Sequence, residues 1–583
     1  MLKKAICIIL SCVLLTLALF TSTFGISVLA ATNSQADAAT DFTFENGTMT
    51  KEVLRSYVSR AVTHQGFCVQ KSGNLLFEED LRFLRRIGAK YIGRAAMLSW
   101  VGNMTAEEVE NHFKIAKENA EKAHNADPEM ILQAGIFEIA YKGTVNSVKI
   151  PTYVFEAFGE TEEDRNFSWE KMVYPKGAIA VTGKDIGIGC WGSEESGVPD
   201  IRQLETKMYF YYMITRYIDA GYEAFHMGQA ELMMGYDAKY SEHWQTLLSK
   251  AREYAKENAR RGLALFDCHT AITSSGIKVG NNLVFDIQGA GMCPDETENK
   301  NGAMQAKLLH YKELIPDRED GLSWVGRSAG GIHPLGFEIE ENFTIIEFDN
   351  YGGNGMYGIA TDKAFYNWGF DDVTWFAVQP EWYRNQFLKE TAEYLSNSEI
   401  CLDKDGKQQY FLQPVTRRVI TPGEKKWYPE IKYTPGEYAD ENFIFKFVDE
   451  EVADIEIGSD GTFTVISRSI YRANNNSDGC PGGFNQEDTI REIFLGKDAP
   501  EDPELQKVVL PSGYGAEEII TTPSITDPIV PDTDLTETPV SSAPFGTAGT
   551  VILWVVVSLA VLSMLCAIGF SVYVFRFDKK NNR

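Results

Sequence analysis

The chain has 583 residues, 44% of them hydrophobic, and sets 82 Asp and Glu against 55 Lys and Arg for a formal net charge of −27. That is enough length for more than one domain and enough apolar content for a sizeable core. The acidity argues against nucleic acid as a partner, because a phosphate-binding surface needs clustered Lys and Arg.

At the N-terminus, Lys3 and Lys4 precede an apolar run from Ala5 to about Phe20, with Val28, Leu29 and Ala30 beyond it. This predicts a secretory signal peptide over 1–30. Six cysteines then remain outside the membrane: Cys68, Cys190, Cys268, Cys293, Cys401 and Cys480. An even number permits disulfides, with Cys190 and Cys293 as one candidate pair, and the spacings match no zinc site.

From about 50 to 400, apolar runs alternate with helices whose ends are marked. Thr105 with Glu108 and Asp200 with Gln203 read as capping boxes, and a third helix runs from about Ser241 to Arg261 before Gly262. The predicted strands are GFCVQ from 66, KYIGRAAM from 90, MILQAGIF from 130, YEAFHMGQ from 222, LALFDCH from 263, NLVFDIQG from 282, FTIIEFD from 343 and VTWFAVQ from 373. Eight strands alternating with helices predict an α/β fold, a (β/α)8 or TIM barrel, with a doubly wound open sheet as the alternative. No Gly-rich phosphate loop follows the first strand to favour that alternative.

Residues 408–495 change to short strand-and-turn runs, including a hairpin signal at Ser459–Gly461, and predict a small β-rich, sandwich-like accessory domain. Residues 511–547, rich in Pro, Thr, Ser and Asp, predict a disordered stalk. Thr550–Phe575 is apolar and uncharged, long enough to cross ~30 Å of hydrocarbon as one transmembrane helix. Arg576, Lys579, Lys580 and Arg583 then put the tail 576–583 in the cytoplasm and the bulk of the chain outside.

A barrel of this kind collects its chemistry at the C-terminal strand ends. Strand alternation predicts that Gln229 and Glu231 share one face of the fourth strand, and Glu347 and Asp349 one face of the seventh. Asp267 with His269, Asp286 with Gln288, and Glu381 and Trp382 after the eighth strand join them, with Arg94 on the second and Glu138 ending the third. Each alone suits a helix cap, an ion pair or a structural histidine. Together they form a candidate site, with Trp169, Trp191, Trp324 and Trp382 on loops where indole faces could stack on sugar rings.

At this point the chain resembles the (β/α)8 glycoside hydrolases of clan A, over about residues 60–395. In that clan one glutamate ends strand four as acid/base and another ends strand seven as nucleophile. The resemblance implies Glu231 and Glu347 for these roles, with Arg94, Glu138, Gln229, Asp267, His269, Asp286, Gln288, Asp349, Glu381 and Trp382 as binding residues. It implies a carbohydrate substrate and no cofactor or metal. The clan usually has Asn before the acid/base, and here Ala230 stands there. A metal hydrolase lacks an H-x-H pair, and a serine hydrolase lacks G-x-S-x-G in the barrel region. A barrel that binds glycans or a partner at the cell surface without cleaving anything remains open.

Overall fold

The computed structural model describes residues 40–69, 76–99, 102–269, 277–291, 294–298, 304–308, 329–348, 372–377, 381–419, 424–425, 453–457, 463–467 and 470–510. The expected signal peptide, stalk, membrane span and basic tail lie outside these residues. Among the described residues no helix is long and apolar enough to cross a membrane.

One curled sheet of ten strands organises the fold. Seven strands, β1 (Ala61–His64), β2 (Tyr91–Met97), β3 (Ile131–Gly135), β4 (Ala224–His226), β5 (Leu265–His269), β6 (Ile287–Gly291) and β7 (Thr344–Glu347), pair in sequence order and in parallel. Then β8 (Tyr410–Leu412) pairs in parallel with β7, and β9 (Val415–Val419) in parallel with β1. Only Gln413 and Pro414 separate β8 from β9, and their backbones keep the ladder going: Gln413 N–H donates to the Ile346 carbonyl, and the Pro414 carbonyl accepts from Thr63 N–H. A last strand, β10 (Ile470–Arg472), lies antiparallel against β9.

This departs from the expected first and eighth strands: Gly66–Cys68 lie in a turn, with Gly66 at φ 67°, and the first strand is Ala61–His64 just before it. VTWFAVQ from 373 forms a short helix, Asp372–Ala377, and a 17-residue helix over Glu381–Asn397 follows. An apolar run this short has no period that separates strand from helix. The sheet thus takes β8, β9 and β10 from the stretch assigned above to a separate β-rich domain. That stretch also supplies a three-stranded antiparallel sheet, in which Ala453–Ile457 and Phe463–Ser467 pair around the expected hairpin, and a helix over Glu487–Leu495.

Helices cover the outside. Of these, α1 (Lys51–Val58) precedes β1, α2 (Phe77–Arg86) joins β1 to β2, and α3 (Ala106–Ala126) joins β2 to β3. The Thr105–Glu108 capping box opens α3 as the sequence indicates. Next, α4 (Leu204–Asp219) and α5 (Ser241–Asn258) flank β4. Asp200 does not cap α4; its carboxylate is taken by Arg202 and Gln203, and the helix begins at Leu204.

The inner face of the sheet is built in layers. Ala61, Tyr91, Ile131, Ala224, Leu265, Ile287, Ile345 and Phe411, one from each of β1 to β8, form a single buried apolar cluster with Val53, Leu54 and Tyr57 of α1. The outer face, with Phe225, Phe266, Ile346 and Leu412, packs under the helices in a second cluster. Two residues further along each strand, on the same inner face, come Thr63, Gly93, Gln133, His226, Asp267, Gly289, Glu347 and Gln413. The apolar layer therefore gives way to a polar one at the C-terminal strand ends.

Candidate active site

Burying a polar layer is costly unless its members satisfy one another. Most of their polar atoms do so here, in a chain of contacts, while His226 Nε2 and Gln413 Oε1 have no hydrogen-bond partner among the described residues. Gln413 Nε2 donates to Thr63 Oγ1 at 2.9 Å, and Thr63 Oγ1 donates to Glu347 Oε2 at 2.7 Å. Across the layer, His226 Nδ1 lies 2.6 Å from Asp267 Oδ2, while Gln133 Nε2 and the Tyr91 hydroxyl donate to Asp267 Oδ1. The two glycines make room: a Cβ on Gly93 would lie 2.6 Å from Gln413 Nε2, and one on Gly289 would lie 2.7 Å from the His269 ring. Burial, and next the Asp267 charge, hold the Tyr91 hydroxyl well above its ordinary range, so it stays a donor.

Glu347 is the centre of charge. Its Oε1 accepts from Arg94 Nη2 at 2.7 Å and lies 2.9 Å from His269 Nε2. Burial opposes ionisation of the carboxyl. The Arg94 charge and the His269 hydrogen bond outweigh it and hold Glu347 well below the usual carboxylate range. An ionised carboxylate only accepts, so His269 Nε2 carries the hydrogen. Arg94 reaches this position through an irregularity: β2 shifts register between Ile92 and Ala96, and Arg94 has φ of 54°. Its backbone N–H then donates to Gln133 Oε1 at 2.9 Å, and its guanidinium lies 5.6 Å from the centre of the Phe137 ring. Left-handed backbone at a bulky residue is costly and clusters at functional sites; Phe137 shares it, also at 54°.

Beyond β4 the chain turns at Gly228, φ 61°, into a short helical turn over Ala230–Met233. Glu138 fixes this turn, accepting from the Gln229 backbone N–H at 3.0 Å and from Gln229 Nε2 at 2.9 Å. A Cβ on Gly228 would meet the Glu138 carboxylate, so glycine is required there twice over. Glu231 lies in the helical turn and is 4% exposed. Burial, then the charges of Glu231 and Glu138, push the nearby Tyr236 hydroxyl up.

The expected residues thus divide into groups. Arg94, Asp267, His269 and Glu347 come together in the polar layer, and Glu138 pairs with Gln229 beside the β4 turn. The run YEAFHMGQAE is not one long strand: β4 ends at His226, so Glu231 follows a turn instead of alternating with Phe225. Asp286 precedes β6 and is bound by Arg252 of α5 at 2.8 Å and by the Phe266 N–H, which makes it structural. Gln288 pairs in register with Cys268 and Thr344 on the outer face. Glu381 and Trp382 lie exposed at the start of the Glu381–Asn397 helix, with Glu381 accepting from Asn485. Asp349 lies outside the described residues.

Of the loop tryptophans, Trp169 is buried and donates to the Ala140 carbonyl, and Trp191 packs beside Phe137, Ile139 and Tyr141. Trp324 and Cys293 lie outside the described residues, and Cys190 forms no disulfide among the described residues. Sequence reasoning passed over Thr63, Gln133, His226 and Gln413. The signal that finds them is the apolar layer two residues earlier on each strand.

No known protein family and no curated protein matches the chain. Among solved structures it is similar to the debranching enzyme of Nostoc punctiforme, at 10% identity and a TM-score of 0.24, over 39% of this chain and 50% of that one. It is also similar to the trehalose-6-phosphate hydrolase of Bacillus licheniformis, at 10% identity and a TM-score of 0.23, over 37% of this chain and 45% of that one. The type III pullulan hydrolase of Thermococcus kodakarensis matches at 12% identity and a TM-score of 0.25, over 40% and 46%. The chain spans half or slightly less of each of these proteins, and identities and scores at this level transfer no activity.

Proposed function

We propose that the chain is an extracellular, membrane-anchored glycoside hydrolase whose curled sheet is a closed (β/α)8 barrel. In this reading Glu347 is the ionised carboxylate and Glu231 the general acid/base. The observation that carries it is Glu347, a carboxylate held charged by Arg94 and His269 at the C-terminal end of the seventh parallel strand. Cleaving a glycosidic bond needs such a carboxylate, to attack the anomeric carbon or to activate water, and a second carboxyl that protonates the leaving oxygen. Glu231 stands past the end of β4 at the same end of the sheet, in a turn that Glu138 holds through Gln229. Replacing Glu231 by Gln keeps its shape and removes its proton. Loss of glycoside cleavage in Glu231→Gln supports the role, and activity equal to wild type assigns the acid to another residue, with Glu138→Gln the next variant.

A second reading has an observation of its own. Both oxygens of Glu347 already have protein partners and the residue is 2% exposed, which suits a barrel that binds glycans without cleaving them. For location, we propose that the signal peptide exports the chain and that Thr550–Phe575 anchors it beyond a flexible stalk, with 576–583 in the cytoplasm.

A further inference from the structure

His226 is 2% exposed, and its Nε2 has no hydrogen-bond partner among the described residues. Buried polar atoms are rarely left so, and none of the described residues supplies the missing partner. The rest of the ring is committed. Nδ1 lies 2.6 Å from Asp267 Oδ2, and the other Asp267 oxygen takes the Gln133 amide and the Tyr91 hydroxyl. The imidazole sits between the His269 ring, with centroids 4.7 Å apart, and the Phe137 ring, 5.2 Å away. His269 in turn contacts Glu347 at 2.9 Å. The Phe137 ring reaches this place on left-handed backbone and over a glycine, since a Cβ on Gly135 would lie 2.3 Å from it.

Asp267 accepts from Nδ1–H in either protonation state of the ring. Nε2 then accepts a hydrogen bond when the ring is neutral and donates one when it is charged. A hydroxyl group serves both states, and a ligand dense in hydroxyls suits a site walled by rings and amides. We propose that His226 is a binding residue of this site, its Nε2 hydrogen-bonding one hydroxyl of a polyhydroxylated substrate held against Glu347. The class of ligand rests on the glycosidase reading; the role of His226 does not require cleavage.

The test is calorimetric titration of the full-length chain in detergent with 1-deoxynojirimycin and isofagomine, using piperidine as the hydroxyl-free control. His226→Asn keeps an amide near the place of Nδ1 for Asp267 and removes Nε2. The expected result is that an iminosugar binds wild type above the piperidine level. Its affinity then falls roughly tenfold in His226→Asn, as for one lost hydrogen bond, while Tm is unchanged. Equal affinity in His226→Asn, or no iminosugar binding to wild type, overturns the proposal. If His226→Asn does not fold, the wild-type complex decides: a ligand hydroxyl on Nε2 supports the role, and a water there in its stead overturns it. Glycoside cleavage that is lost in Glu347→Gln, beside normal binding by His226→Asn, sinks this role and leaves the hydrolase reading standing. Binding lost in His226→Asn, with no glycoside cleaved by wild type, does the reverse.

Discussion

At the scale of single residues, the site turns on which face of each strand looks inward. For β5 and β7 alternation alone answers correctly, and Asp267, His269 and Glu347 were legible in the sequence because polar residues punctuate apolar runs there. For β4 and β6 the same reasoning chose the wrong face. Alternation puts Phe225 and Met227 on the face assigned to Gln229 and Glu231, yet they pack under the helices, and His226 takes the inner face beside Asp267. No periodicity could place Arg94, because it enters through a register shift in β2. Arg94 is the strongest influence lowering Glu347, ahead of His269, against a burial that raises it. Arg94→Met should therefore raise the Glu347 pKa by about 1 to 3 units, the range for one close opposite charge. The acid limb of the kcat/KM profile should move up in pH by that amount, and an unmoved limb would show that Glu347 does not set it.

At the scale of elements, the order of strands was legible from β2 to β7, whereas β1 lies at Ala61–His64, ahead of the run expected from 66, and the strands over Tyr410–Val419 were not legible. Tyr410–Val419 is broken by Pro414 and lies in a stretch dense with turn signals, so it reads as part of another domain. Its place is settled only by long-range pairing with β7 and β1. The segment that follows is tied back by charge. Arg472 of β10 donates to Asp80 of α2 at 2.7 Å, and Asp80 lies 3.3 Å from His64 at the end of β1, all of it buried. Arg82 of α2 bridges Glu79 and Glu487 in the same region. Removing one partner from a buried pair leaves the other charge uncompensated, which costs about 3 to 5 kcal/mol. Arg472→Ala should lose that much in denaturant unfolding, whereas a loss under about 1 kcal/mol, the range of an exposed pair, would contradict a clamp.

At the scale of the whole molecule, burial of histidines gives a pH dependence whose sign is fixed. Burial pushes His112 and His124 down to about 3, and pushes His64 down to about 4 despite the Asp80 charge. In the unfolded chain each titrates near 6.5, so below that pH the unfolded state takes up protons that the folded state refuses. Stability should fall as pH drops from 6.5 to 4, by about 1.4 kcal/mol per pH unit for each such histidine. Asp80 and Glu347, both held low, add their loss only below the ordinary carboxylate range. Calorimetric Tm against pH checks this, and His112→Gln, which can keep the bond to Tyr217, should flatten the slope by one histidine's share. A Tm constant from pH 6.5 to 4 would refute it.

The central claim is that Glu347 is the ionised carboxylate of a glycosidase. It is tested most directly by assaying the full-length chain and its Glu347→Gln variant against a panel of aryl glycosides and polysaccharides, with Tm measured alongside. The account predicts that wild type cleaves at least one of them and that Glu347→Gln, still folded, loses on the order of a thousandfold or more in kcat, about 4 kcal/mol of barrier. Cleavage by Glu347→Gln at the wild-type rate, or a wild type that cleaves none of the panel, would contradict it.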